Sequence, residues 1–275
     1  MLLSAFQSPR STCVLILLVL AAGIVIPQDS PSNSDRDTYE AAIHRKEVQA
    51  RIKGLELFLK TFPSSTLKEA ALDSLARAYR QSGNMREEQE TLGRLLKVNA
   101  NSLYGWTAKA ELRLIGCDSG DCEQEMASIA ENGFRALNSG TKPDYVAEVE
   151  FERQKAESAK VFHNLAGLAA IEQHDYPTAQ EHYVTLVKSE PNNFGFVYPL
   201  ALTYLNASPP DNSKGLFFLA RAAVLSPATG RKRIEDYGRA QYEKYHGSAQ
   251  GWPEILRVAK ANSQMPSDFA ITPAP

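Results

Sequence analysis

The chain has 275 residues, of which 43% are apolar, 23% charged and 9% aromatic, with a formal net charge of −2. These proportions exclude a wholly disordered or collagen-like chain, and the near-neutral balance supplies no basic footprint for nucleic acid. Three cysteines are present, an odd number that the order of the chain resolves.

Arg10 precedes a run from Cys13 to Ile26 that carries no charge. A membrane-spanning helix needs about 20 apolar residues, whereas a secretory core needs about 7–15. The small residues Ala21, Ala22 and Gly23 near the end of the run fit a cleavage region. Residues 1–27 are therefore expected to be a signal peptide, with retention as an N-terminal membrane anchor as the alternative. Either way the body is exported, to a periplasm or cell envelope, and touches a membrane only through this segment if it stays uncleaved. Removal of residues 1–27 takes Cys13 away and leaves Cys117 and Cys122. Residues 28–38 are polar and turn-rich, and read as a linker.

From Tyr39 onward apolar residues recur three and four apart, the helical period, with no alternating run long enough for a sheet. A first helix is expected over 39–61, with Ile52, Leu55, Phe58 and Leu59 on its apolar face and Pro63 ending it. Thr66 and Glu69 have the spacing of a capping box. The next helix carries Leu72, Leu75, Ala76 and Tyr79; Gly83-Asn84 turns the chain, and a further helix carries Leu92, Leu95 and Leu96. The spacing Leu72, Leu75, Ala76, Tyr79, Glu88, Leu92, Leu95, Ala100 then returns twice in phase. The second run is His163, Ala166, Gly167, Ala170, Ala179, Tyr183, Leu186, Pro191, and the third is Val197, Leu200, Ala201, Tyr204, Gly215, Leu219, Ala222, Pro227. Between them residues 103–140 are a degenerate copy: Trp106, Ala110, Ala130, Phe134 and Leu137 fit, Lys109 and Arg113 do not, and the turn is long. A long helix is expected from Asp144, as N-cap, to about Gln173, its charged stretch 148–160 solvated. Two helices, about 231–245 and from Pro253, form a cap within 229–262, and the tail 263–275 reads as extended.

This spacing resembles the tetratricopeptide repeat (TPR). Small residues let the two helices of a pair touch, and large ones fill the space between pairs. The resemblance covers residues 39–228. It implies an all-α fold, a right-handed superhelical solenoid of antiparallel helix pairs, here closed by C-terminal capping helices. It also implies an interaction scaffold whose partner is a protein or peptide held in a concave groove lined by the first helix of each pair. By phase, the groove residues are Asp73, Arg77 and Arg80; Tyr104, Thr107 and Glu111; Asn164, Leu168 and Ile171; and Tyr198 and Leu202. Family members that hold a peptide carboxylate use a Lys/Asn clamp, for which Arg77, Arg80 and Asn164 are a partial substitute.

Cys117 and Cys122 sit in the long turn of the degenerate copy. In an oxidising envelope they form a small disulfide loop, stabilising by about 2 kcal/mol; free thiols, or a metal or redox role, are the alternatives. The five histidines lack zinc spacing, and no phosphate loop or serine elbow is present. No catalytic residue, cofactor or metal is therefore expected. A structural or assembly subunit of an envelope complex, and a small-ligand binder or enzyme using a pocket under the long helix, are the rival readings.

Overall fold

The computed structural model describes residues 33–116 and 122–275. Among these, the chain forms twelve α-helices and no strand: α1 (Asn33–Ile43), α2 (Val48–Thr61), α3 (Lys68–Gln81), α4 (Met85–Val98), α5 (Leu103–Ile115), α6 (Cys122–Ser139), α7 (Glu148–Glu172), α8 (Tyr176–Ser189), α9 (Phe194–Asn206), α10 (Asn212–Leu225), α11 (Ala228–His246) and α12 (Trp252–Ala261). Each helix from α1 to α10 packs on the next, and α11 and α12 both close on α10. Packing that runs from neighbour to neighbour along the chain is the signature of a solenoid. Three apolar clusters follow one another along it, around Phe58 and Leu75, around Phe162 and Leu165, and around Tyr183, Leu200 and Phe217.

The repeated small positions are the points where helices touch. A methyl group added at Gly167 would stand 2.7 Å from the Tyr183 ring, and one at Gly215 would stand 2.6 Å from Leu205. Glu88, which occupies a small slot in the first copy, is buried and accepts a hydrogen bond from Arg80 Nε at 2.7 Å. A buried carboxylate needs such a partner, because leaving water is costly for an unpaired charge.

Several elements differ from the sequence reading. The single helix expected over 39–61 is two, α1 and α2, and α1 begins at Asn33, inside the stretch read as linker. Folding α1 back on α2 seats Ala42 against Gly54 and the Tyr39 ring 5.7 Å from Phe58. That contact covers the exposed end of the first repeat, as the terminal unit of a solenoid must. The Thr66–Glu69 capping box does not form. Leu67 occupies the N-cap of α3, and Glu69 instead accepts from Asn99 Nδ2 at 2.8 Å and Tyr145 Oη at 3.4 Å. The N-cap of α7 is Ala147 rather than Asp144. The early part of α7 is also not solvated throughout, because Phe151 and Ser158 are buried and α7 packs on α5 as well as on α6 and α8. The cause is the turn of the pairs, which lays the extended helix back across α5.

At the other end, Gly247 at φ 84° ends α11, and Trp252 tucks against Gly238. Arg221 of α10 donates to the Ala259 carbonyl in the last turn of α12 at 3.0 Å, where the helix dipole favours a cation. The tail, read as extended, is docked: Phe269 meets Phe217 at 5.4 Å, and Ile271 N donates to Ser213 Oγ at 3.2 Å. The signal or anchor segment over 1–27 and Cys117 lie outside the described residues.

Candidate partner groove

Asp73, Arg77 and Arg80 recur at helical spacing on one face of α3. Arg77 pairs with the Asp73 carboxylate, and its guanidinium lies 3.7 Å over the Tyr104 ring, a cation–π contact. Arg80 pairs with Glu88 and with Glu111, and also donates to the Ala108 carbonyl at 3.3 Å. Burial pushes the Asp73 carboxyl up, against the downward pull of Arg77. Burial likewise raises the Tyr104 phenol, whose hydroxyl has no hydrogen-bond partner among the described residues. The Thr107 hydroxyl lies 2.7 Å from Ser158 Oγ on α7.

Arg77, Arg80, Tyr104, Thr107 and Glu111 line one cleft, and Asp73 is buried beside it, paired with Arg77. Its far wall is the chain itself. Glu150, Gln154 and Ser158 of α7 face these residues and leave only about 160 Å³ between. Glu150 is held down to about 2 by hydrogen bonds from Arg153 and then Gln154, with Arg77 adding to the pull. The stretch of groove over α3 and α5 is therefore narrowed by polar side chains of α7.

The other predicted residues lie further along. Asn164 accepts from the Tyr183 hydroxyl at 3.3 Å, a contact within the α7–α8 pair. Leu168 packs between the middle and C-terminal clusters and borders a cleft of about 420 Å³ with Met126 and Glu172. Ile171 and Leu202 are half-buried. Tyr198 borders a separate cavity of about 410 Å³ with Phe194, Arg233, Ile234 and Tyr237. The predicted set accordingly divides into a polar N-terminal stretch faced by α7 and a more apolar C-terminal one.

Arg233 and Tyr237 escape the sequence reading because it assigns α11 to the cap alone, and Phe194 because that reading takes only Tyr198 and Leu202 from α9. A signal was present. Tyr237 precedes the small Gly238 as Leu75 precedes Ala76 and Leu200 precedes Ala201. Leu75 and Leu200 are fully buried, whereas Tyr237 is 37% exposed, so the capping helix leaves a cleft beside α9.

The stacked antiparallel helix pairs define an all-helical repeat protein of TPR-like architecture. No protein-family model matches the chain, and no curated protein matches it. Among solved structures, a thermophilic TPR protein of Thermus thermophilus aligns with 16% identity over 75% of this chain and 98% of that one, with a TM-score of 0.36.

Proposed function

We propose that the protein is an exported scaffold that binds a protein or peptide through the concave side of its helix pairs. The observation that carries this reading is the row of partly exposed apolar side chains on successive first helices, Ile171, Tyr198 and Leu202, ending at the exposed Tyr237. Exposed aromatics at a concave site are the usual anchors of protein recognition. The uncharged run from Cys13 to Ile26 behind Arg10 supports export, and export in turn supports a Cys117–Cys122 disulfide.

A photo-crosslinking residue at position 237 tests the scaffold reading in cells of the source, with the same residue at the exposed Glu181 of α8 as control. A discrete protein adduct from position 237 and none from 181 is the expected result. No protein adduct from 237 would overturn it. The disulfide predicts that the intact chain is about 2 Da lighter without reductant than with it; equal masses would remove it.

A further inference from the structure

Resting on the scaffold reading above, we infer that the α9–α11 stretch of the groove takes a peptide segment pairing an aromatic or branched aliphatic side chain with a carboxylate.

Three observations lead there. First, the polar side chains of the α3–α5 stretch are already paired with one another and with α7. Thr107 is bonded to Ser158, the Tyr145 hydroxyl reaches Glu69, and Arg77 and Arg80 hold Asp73, Glu88 and Glu111 as counter-ions. The facing helix is anchored by the buried Phe151 and runs without interruption into the core helix that carries Phe162 and Leu165. It cannot swing away without unfolding part of α7.

Second, α9 bears no charged residue along its whole length, in a chain that is 23% charged. Phe194 and Tyr198 stack on it with ring centroids 5.6 Å apart and planes within 15°. Across the cavity stands Tyr237, above the buried Ile234. A cavity of about 410 Å³ with three aromatic walls and an apolar floor has the size and lining to take one large apolar side chain.

Third, the rim carries a cation without an ion pair. Arg233 borders the cavity and is exposed, and no carboxylate among the described residues pairs with it. Its neighbours on α11 are differently engaged: Lys232 pairs with Asp236 at 2.6 Å, and Arg231 donates to the Ser226 carbonyl at 3.1 Å. A guanidinium beside aromatic faces is suited to a carboxylate next to an apolar anchor, because its planar fork donates to both carboxylate oxygens.

The test is selection of a random 12-residue peptide library on the full chain, followed by binding of the enriched peptides to variants. Enriched peptides should carry Phe, Tyr, Trp, Leu or Ile within two residues of Asp or Glu. Arg233→Glu should weaken them about tenfold or more, corresponding to about 1.4 kcal/mol, and exchange of the peptide acid for Lys should restore binding to that variant. Because Arg233 is exposed and unbridged, the variant keeps its fold, which a thermal melt verifies. Enriched peptides without an acid, or acidic ones indifferent to Arg233→Glu, overturn this inference and leave the scaffold reading standing. Enrichment of no peptide at all overturns this inference, and the scaffold reading falls only if position 237 also gives no protein adduct.

Discussion

His174 holds a backbone φ of 59° in the turn between α7 and α8, where the α3–α4 turn has Gly83 at φ 75°. In both turns the next residue caps the following helix, Asp175 for α8 and Asn84 for α4. A side chain in the left-handed region crowds its own backbone, and glycine does not. The substitution His174→Gly is therefore expected to stabilise the chain by about 0.5–1 kcal/mol, read as a higher denaturant midpoint; a lower midpoint would contradict this. A second residue-scale device is the contact of His163 and His182, whose Nδ1 atoms are 2.9 Å apart across α7 and α8, with the Phe134 ring stacked on His182. Burial lowers both imidazoles, and each lies in reach of further charge: His182 acts downward on His163, and Glu181 upward on His182. The unfolded chain then binds more protons than the folded one below about pH 6.5, so stability is full above that pH and is lost as the pH falls through the lowered folded values. Chemical denaturation at about pH 7.5 and about pH 5.5 should show a drop that His163→Asn reduces; an identical drop in the variant would refute it. The small-to-large pairing of Gly167 with Tyr183 was legible from spacing, because it lies within one repeat. The role of Glu69 was not, because its partners Asn99 and Tyr145 stand 30 and 76 residues away.

At the scale of elements, α7 shows most clearly where reading charge density misleads. Most of its charges pair within the helix, Arg153 with Glu150, Lys155 with Glu152 and Lys160 with Glu157, all three apart, and Lys160 also reaches Glu190. Such pairs surround a narrow strip on which Phe151 and Ser158, seven residues apart, are buried. Two buried positions in a charged run are too few to alter its average, so periodicity alone does not reveal the face. Phe151→Ala should cost about 3 kcal/mol, the usual loss for a buried aromatic. Hydrogen exchange should rise first in the early turns of α7 and the facing part of α5. Unchanged protection there would contradict the packing of α7 across the groove. The same logic explains α1, whose polar sequence reads as linker; its burial comes from a few contacts, Ala42 on Gly54 and Tyr39 on Phe58, rather than a long apolar face.

At the scale of the molecule, stability in a solenoid accumulates from neighbouring contacts, so its ends need covering. Here α1 covers one end, and α11, α12 and the docked tail cover the other. The helix-pair architecture and the C-terminal cap were legible because each repeat states its own pattern. The division of the groove was not, since it depends on how one unusually long helix crosses a preceding pair. A division of this kind places a partner's footprint on α9 and α11 and spares α3 and α5. Hydrogen–deuterium exchange of the full chain, with and without the peptide or protein captured at position 237, measures that footprint directly. The account predicts added protection at Phe194–Asn206 and in the α11 turns around Arg233 and Tyr237, with none at Lys68–Gln81 or Leu103–Ile115. Protection centred on Arg77, Arg80 and Tyr104 instead would contradict it.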